Sequence, residues 1–185
     1  MASTSEPMVE RRVVLLRAVN LGARNKVPMA RLRELVTSAG ATEVSTFIAS
    51  GNLLCVPPGD PAEFDRTVEA LVLDDLGVTT DAISRSASEL LAAREAHRLP
   101  VVEPKLSHVW FLRDDPDPDG VAALRERATP GAEWEHVGRE LHIRYTGDGV
   151  HDSKLTAPLM NRLLGTPGTG RNLTTVEKLH ALATP

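Results

Sequence analysis

The chain has 185 residues and a formal net charge of −4, so it can hold one large domain or two small ones and offers no global basic surface for nucleic acid. Hydrophobic residues reach 42% while aromatics are only 3%, which implies an aliphatic core of Leu, Val, Ala and some Ile. The charge is unevenly spread: residues 11–33, RRVVLLRAVNLGARNKVPMARLR, carry seven basic side chains and no acid, so a local basic face is compatible with an acidic protein.

Cys55 is the sole cysteine, which excludes an intramolecular disulfide framework and a multi-cysteine zinc site. Within LLCVPP it reads as a small buried hydrophobe rather than a nucleophile. The opening MASTSEPMVERR lacks the apolar stretch of a signal peptide, and no segment approaches the ~20 apolar residues of a membrane span. The expectation is a soluble cytoplasmic protein with no membrane partner.

RRVVLLRAVN reads as a buried strand, and Pro28 sits well at the first turn of a helix carrying Met29, Leu32, Leu35, Val36 and Ala39 up to Gly40. EVSTFIASGNLLCV reads as two strands joined tightly at Gly51-Asn52. Asp60-Pro61 opens a second helix that Gly77 closes, and VTTDAISR is a weaker strand. The order β-α-β-β-α-β is ferredoxin-like. Ser86 and Glu89 make a capping box for a short helix to about His97.

HRLPVVEPK, with Pro100 and Pro104, looks like a linker over 98–105, between an N-terminal subdomain at 11–97 and a related one at 106–183. The second subdomain starts with the strand LSHVWFLR and the helix DGVAALRERA. A hairpin turning at Gly138-Arg139 and the helices LTAPLMNRLLG and TTVEKLHALA follow. It reads β-α-β-β-α-α. The expected fold class is α+β, two ferredoxin-like subdomains related by structural duplication, although no repeat is visible in the sequence.

Asp115, Asp117, Asp119, Gly120 and Glu126 match the spacing of an EF-hand loop. The preceding HVWFL reads as a strand rather than a helix, and two prolines interrupt the loop, so the pattern is read instead as an acidic turn whose last Asp caps a helix near Gly120. His136 and His142 could meet across the hairpin, but no third ligand has recognisable spacing, and His151-Asp152-Ser153 is not how a triad is assembled; these are read as surface or loop residues. Neither a phosphate loop nor a dinucleotide fingerprint is present, and no cofactor is implied.

Three loops hold more polar and glycine residues than connection requires. RAVNLGARNKVP offers Arg17, Asn20, Asn25 and Lys26; ASGN offers Ser50 and Asn52; DSKL and GTGRN offer Lys154, Arg171 and Asn172. With Thr174 and Glu177 read as a capping box, Arg171 and Asn172 lie just before a helix N-terminus, where free amides favour anions. These segments, VVLLRAVNLGARNKVPMARLRELV, TFIASGNLL and SKL…GTGRNLTTVEKL, resemble the bacterial domain-of-unknown-function family 1697. Members of that family open LLRGINVGGKNKVPM, continue YIQSGNVVF and close SKL…TxRNWNTVxKL. The resemblance covers about residues 12 to 182 and implies a ferredoxin-like α+β fold with two subdomains, and no activity. Ala18 and Ala23 replace family glycines, and Leu173 and Thr174 replace a Trp and an Asn, which would remove a stacking platform if that Trp served as one.

Three functions fit these residues. The first is binding of a phosphate-bearing ligand, nucleotide or nucleic acid, in a basic cleft where Arg17, Lys26 and Arg171 neutralise charge and the asparagines orient. Nucleic acid is the weaker version, because Phe47, Trp110 and Phe111 read as core rather than as stacking surface. The second is an enzyme on a small anion with Lys26 or Lys154 as acid/base and Ser50 as nucleophile. The third is a structural protein whose motifs hold the subdomains together.

Overall fold

The same order of elements occurs twice in the computed structural model, which describes residues 10–147 and 149–184. The first unit comprises β1 (Arg12–Leu16), α1 (Met29–Ser38), β2 (Thr42–Phe47), β3 (Asn52–Val56), α2 (Pro61–Leu76), β4 (Ala82–Ser86) and α3 (Ala87–Glu95). The second comprises β5 (Ser107–Leu112), α4 (Pro118–Arg125), β6 (Ala132–Val137), β7 (Glu140–Tyr145), α5 (Ala157–Leu164), β8 (Gly168–Asn172) and α6 (Leu173–Ala183). Each unit builds a four-stranded antiparallel sheet, β2-β3-β1-β4 and β6-β7-β5-β8, the ferredoxin-like arrangement. Residues 96–106 join α3 to β5 without helix or strand. The fold is α+β with two ferredoxin-like subdomains.

Local chemistry explains most boundaries. Asp60 caps α2 by accepting the Glu63 N–H at 3.0 Å, Pro61 supplies a preset φ, and Gly77 ends the helix at φ 66°. Ser86 and Glu89 form the reciprocal capping box of α3. Five expectations need correction. GTGRN is not a loop: it is β8, paired with β5, and it completes a second βαββαβ unit. Its two glycines let the Trp110 ring lie flat on the strand, since a Cβ at Gly168 would stand 2.1 Å from Trp110 Nε1. The cap of α6 is Asn172, whose Oδ1 accepts the Thr175 N–H at 2.8 Å, not Thr174. β1 ends at Leu16, and β2 and β3 are joined through residues 48–51, a wider turn than Gly51-Asn52 alone. His142 is buried on β7 rather than at the surface.

The fifth correction concerns the acidic turn. Asp117, not Asp119, caps α4, and the helix fills the stretch that an EF-hand would use as its loop, leaving Glu126 a helix length away from Asp117. The read-through of residues 1–12 as free of a signal peptide lies mostly outside the described residues. Among the described residues no helix is long and apolar enough to cross a membrane.

The strands alternate, so each sheet has two apolar faces. Val14, Leu16, Leu53 and Cys55 pack under α1 and α2. Leu141, Ile143 and Tyr145 pack under α4 and α5. The opposite faces share one core: Val13, Leu15 and Leu54 of the first sheet and Val109 and Phe111 of the second, closed by α3 and α6. Cys55 is fully buried, and desolvation pushes its thiol up to about 12, so it is unreactive at neutral pH.

Candidate functional site

The ASGN turn and the GTGRN strand meet at Arg171, which is buried at the shared core with 7% of its surface exposed. Its Nε donates to Asn52 Oδ1 at 2.6 Å, Nη1 to Thr169 Oγ1 at 2.9 Å and Gly170 O at 2.8 Å, and Nη2 to Leu16 O at 3.0 Å and Ser50 O at 3.1 Å. All three nitrogens thus have protein acceptors, and none of these acceptors is a carboxylate. Burial draws the guanidinium down to about 10, so it stays charged at neutral pH. Asn52 is buried and donates to Phe47 O and Ser50 Oγ.

The first loop is tied in the same way. Asn20 donates to Val27 O and Ala49 O and accepts the Val27 N–H, while Asn25 donates to Ala18 O. Ala18, Asn20 and Asn25 all adopt left-handed φ of 50–55°, which the short amides tolerate and which costs Ala18 strain. Arg17 pairs with Asp81 at 2.7 Å. Thus Arg17, Asn20, Asn25, Asn52 and Arg171 are engaged within the protein, and Asn172 caps α6. Lys26, Ser50 and Lys154 are exposed, and neither lysine side chain is hydrogen-bonded or ion-paired among the described residues.

At the opposite end of the shared core stands Arg85, equivalent to Arg171, with its Nε on Glu140 at 3.1 Å and Nη2 on Leu112 O at 2.6 Å. Here the seam between the units is open. A cleft of about 270 Å³ is walled by Arg12, Arg66, Arg85, Arg113 and Arg139, with Asp65 among its acids. Carboxylates space the guanidiniums apart: Glu89 bridges Arg12 and Arg139, both at 3.0 Å, and Glu69 contacts both Arg113 and Arg66. Burial alone would raise the Glu89 carboxyl. The Ser86 N–H and the charges of Arg12, Arg85 and Arg139 outweigh it and hold the group below the usual range.

Three polar atoms around this cleft lack partners. The Nε–H groups of Arg12 and Arg113 are buried and meet no acceptor among the described residues, and Asp65 Oδ1 meets no donor. Asp65 Oδ2 accepts the Ser84 N–H at 3.0 Å. Burial pushes the Asp65 carboxyl above its usual range, against the pull of Ser84, Arg12 and Arg113. Guanidiniums present fixed forks of donors and do not exchange protons near neutrality, so the arginines can face an oxyanion, while the titratable groups of the wall are the carboxyls of Asp60, Asp65 and Asp114.

None of the nine residues singled out from the loops lines this cleft. Its arginines come from strand ends and from α2, positions that look like ordinary solvated charge. One signal was legible: Asp65 follows Phe64 and precedes Val68 by three, which places a carboxyl on the buried face of α2.

The sequence matches a family described as a protein of unknown function, DUF1697, over residues 9–142. The fold resembles the solved structure of the conserved bacterial protein SP0830 from Streptococcus pneumoniae, with a TM-score of 0.73 and 21% identity, covering 94% of this chain and 98% of that one. No curated protein matches. With well over half its length matched, the chain belongs to the DUF1697 family.

Proposed function

We propose that the protein binds a small phosphate-bearing molecule in the arginine-lined cleft between the two units. The observation that carries this reading is the gathering of five arginines, Arg12, Arg66, Arg85, Arg113 and Arg139, around one cleft. Five guanidiniums against the three lining carboxylates of Asp60, Asp65 and Asp114 leave the cleft wall positive, which favours an oxyanion. At about 270 Å³ the cleft suits a metabolite rather than a nucleic-acid strand, in keeping with the net charge of −4. On this reading Asn52 and Arg171 serve to join the units, and Lys26 lies outside the site.

Calorimetric titration with inorganic phosphate and simple phosphate monoesters tests this. Arg66 is the most exposed arginine of the cleft, with one 3.6 Å pair to Glu69, so Arg66→Ala removes a cleft charge with least damage to the fold. Arg66→Ala is expected to weaken binding and Lys26→Ala to leave it unchanged. The reverse result would move the site to the first loop, and no binding of any phosphate would overturn the reading.

A further inference from the structure

The two ends of the shared core are equivalent by the duplication but chemically unequal. At one end Arg171 is closed over by Asn52 and the backbone carbonyls of the first unit. At the other, Glu140 stands where Asn52 stands, and the cleft opens beside it. Within that cleft the arginines account for an anion, yet they do not account for Asp65. Its side chain lies on α2 between the core residues Phe64 and Val68, with 8% of its surface exposed, and one oxygen is held by Ser84 N–H while the other meets nothing. A residue that served only to balance the guanidiniums would pair with one of them. Arg12 and Arg113 act on Asp65 through their charge but are bonded elsewhere, to Glu89 and to Glu69.

We propose that the Asp65 carboxylate, which lines the cleft without a lysine or arginine partner among the described residues, favours a ligand with an ammonium group, so that the cleft selects small zwitterions carrying an amine together with a phosphate. This rests on the reading of the cleft as a phosphate site and adds the second half of the ligand. The arginines take the oxyanion at the cleft wall, and the carboxylate takes the amine at its buried side. A cation delivered by the ligand also offsets the desolvation of Asp65, which no lysine or arginine of the protein does by direct contact among the described residues.

The test compares O-phosphoethanolamine with ethyl phosphate, two probes of similar size and the same anionic group, by calorimetry on the wild-type protein. O-phosphoethanolamine is expected to bind at least about tenfold more tightly, a difference of one charge-assisted contact. Asp65→Asn keeps an acceptor for Ser84 N–H but loses the charge, so it is expected to bring the two affinities together by removing the advantage of O-phosphoethanolamine. Equal binding of both probes to the wild type would overturn the role of Asp65 and leave the phosphate reading standing. Binding of neither would overturn both. If Asp65→Asn fails to fold, the wild-type ratio alone decides.

Discussion

Arg85 on β4 and Arg171 on β8 hold equivalent places in the two units, and each crosses the shared core to the carbonyl that ends the other unit's first strand. Arg85 Nη2 reaches Leu112 O at 2.6 Å, and Arg171 Nη2 reaches Leu16 O at 3.0 Å. The registers agree, since Arg85 pairs with Val13 and Arg171 with Val109. The second partners agree as well: Glu140 opens β7 as Asn52 opens β3. This reciprocal exchange is what an isologous two-fold interface would show, here built within one chain.

Replacing Arg171 tests its role as a clamp. Arg171→Ala leaves Asn52 Oδ1 and the carbonyls of Leu16 and Ser50 without their donor, and is expected to cost about 3 kcal/mol in urea unfolding. Arg171→Lys should recover only part, because an ammonium cannot span acceptors arranged for a planar fork. Lys26→Ala should stay within about 0.5 kcal/mol of the wild type. A small effect of Arg171→Ala would show that the acceptors find other donors.

Two motif glycines should behave differently. A Cβ on Gly51, at φ 83°, would stand 2.5 Å from Val19 Cγ2 and 2.9 Å from Leu16 Cβ, whereas one on Gly22, at φ 59°, meets nothing within 4 Å. Gly22→Ala is expected to cost about 1 kcal/mol, from backbone strain alone. Gly51→Ala adds overpacking of roughly 1–3 kcal/mol to a similar strain. Similar midpoint shifts in thermal unfolding would contradict this packing.

The start of α6 offers a direct comparison of caps. Asn172→Ala is expected to cost about 1 kcal/mol through loss of the bond to Thr175 N–H, and Thr174→Ala to be close to neutral. The opposite order would return the cap to Thr174.

Stability should fall in mild acid. His142 is buried with neither ring nitrogen partnered among the described residues, and the His97 ring lies 5.5 Å away. Burial first, then the charges of His97 and His136, draw His142 down to about 4, while burial also lowers His97 against the pull of Glu135. The folded protein thus binds fewer protons than the unfolded chain below pH 6.5. The stability from keeping His142 neutral is complete above about 6.5 and is lost as pH falls toward 4. Urea midpoints should therefore drop between pH 7 and pH 5, and His142→Phe should flatten that dependence. A midpoint independent of pH in both proteins would refute the assignment.

Periodicity and caps made the first unit legible, because Asp60-Pro61, Gly77 and the Ser86–Glu89 box act within a few residues of themselves. In the second unit GTGRN hides its strand, because its two glycines and Asn172 have poor strand propensity. That segment is a strand because Trp110 covers its glycines and because β5 is there to pair with it, neither of which is local.

The same division holds for function. The sequence alone determined that the fold is α+β and that Cys55 is a core residue, and it singled out Asn52 and Arg171, which the structure joins by a hydrogen bond. Which of the singled-out residues face solvent is a long-range matter. Arg171 meets Asn52 across 119 residues of chain, and the engagement of its nitrogens follows from acceptors on the other unit. The cleft is likewise assembled from β1, α2, β4 and the hairpin of the second sheet. Hydrophobic burial brings those surfaces together, and only their meeting decides which arginines are closed over by carbonyls and which line the cleft beside carboxylates.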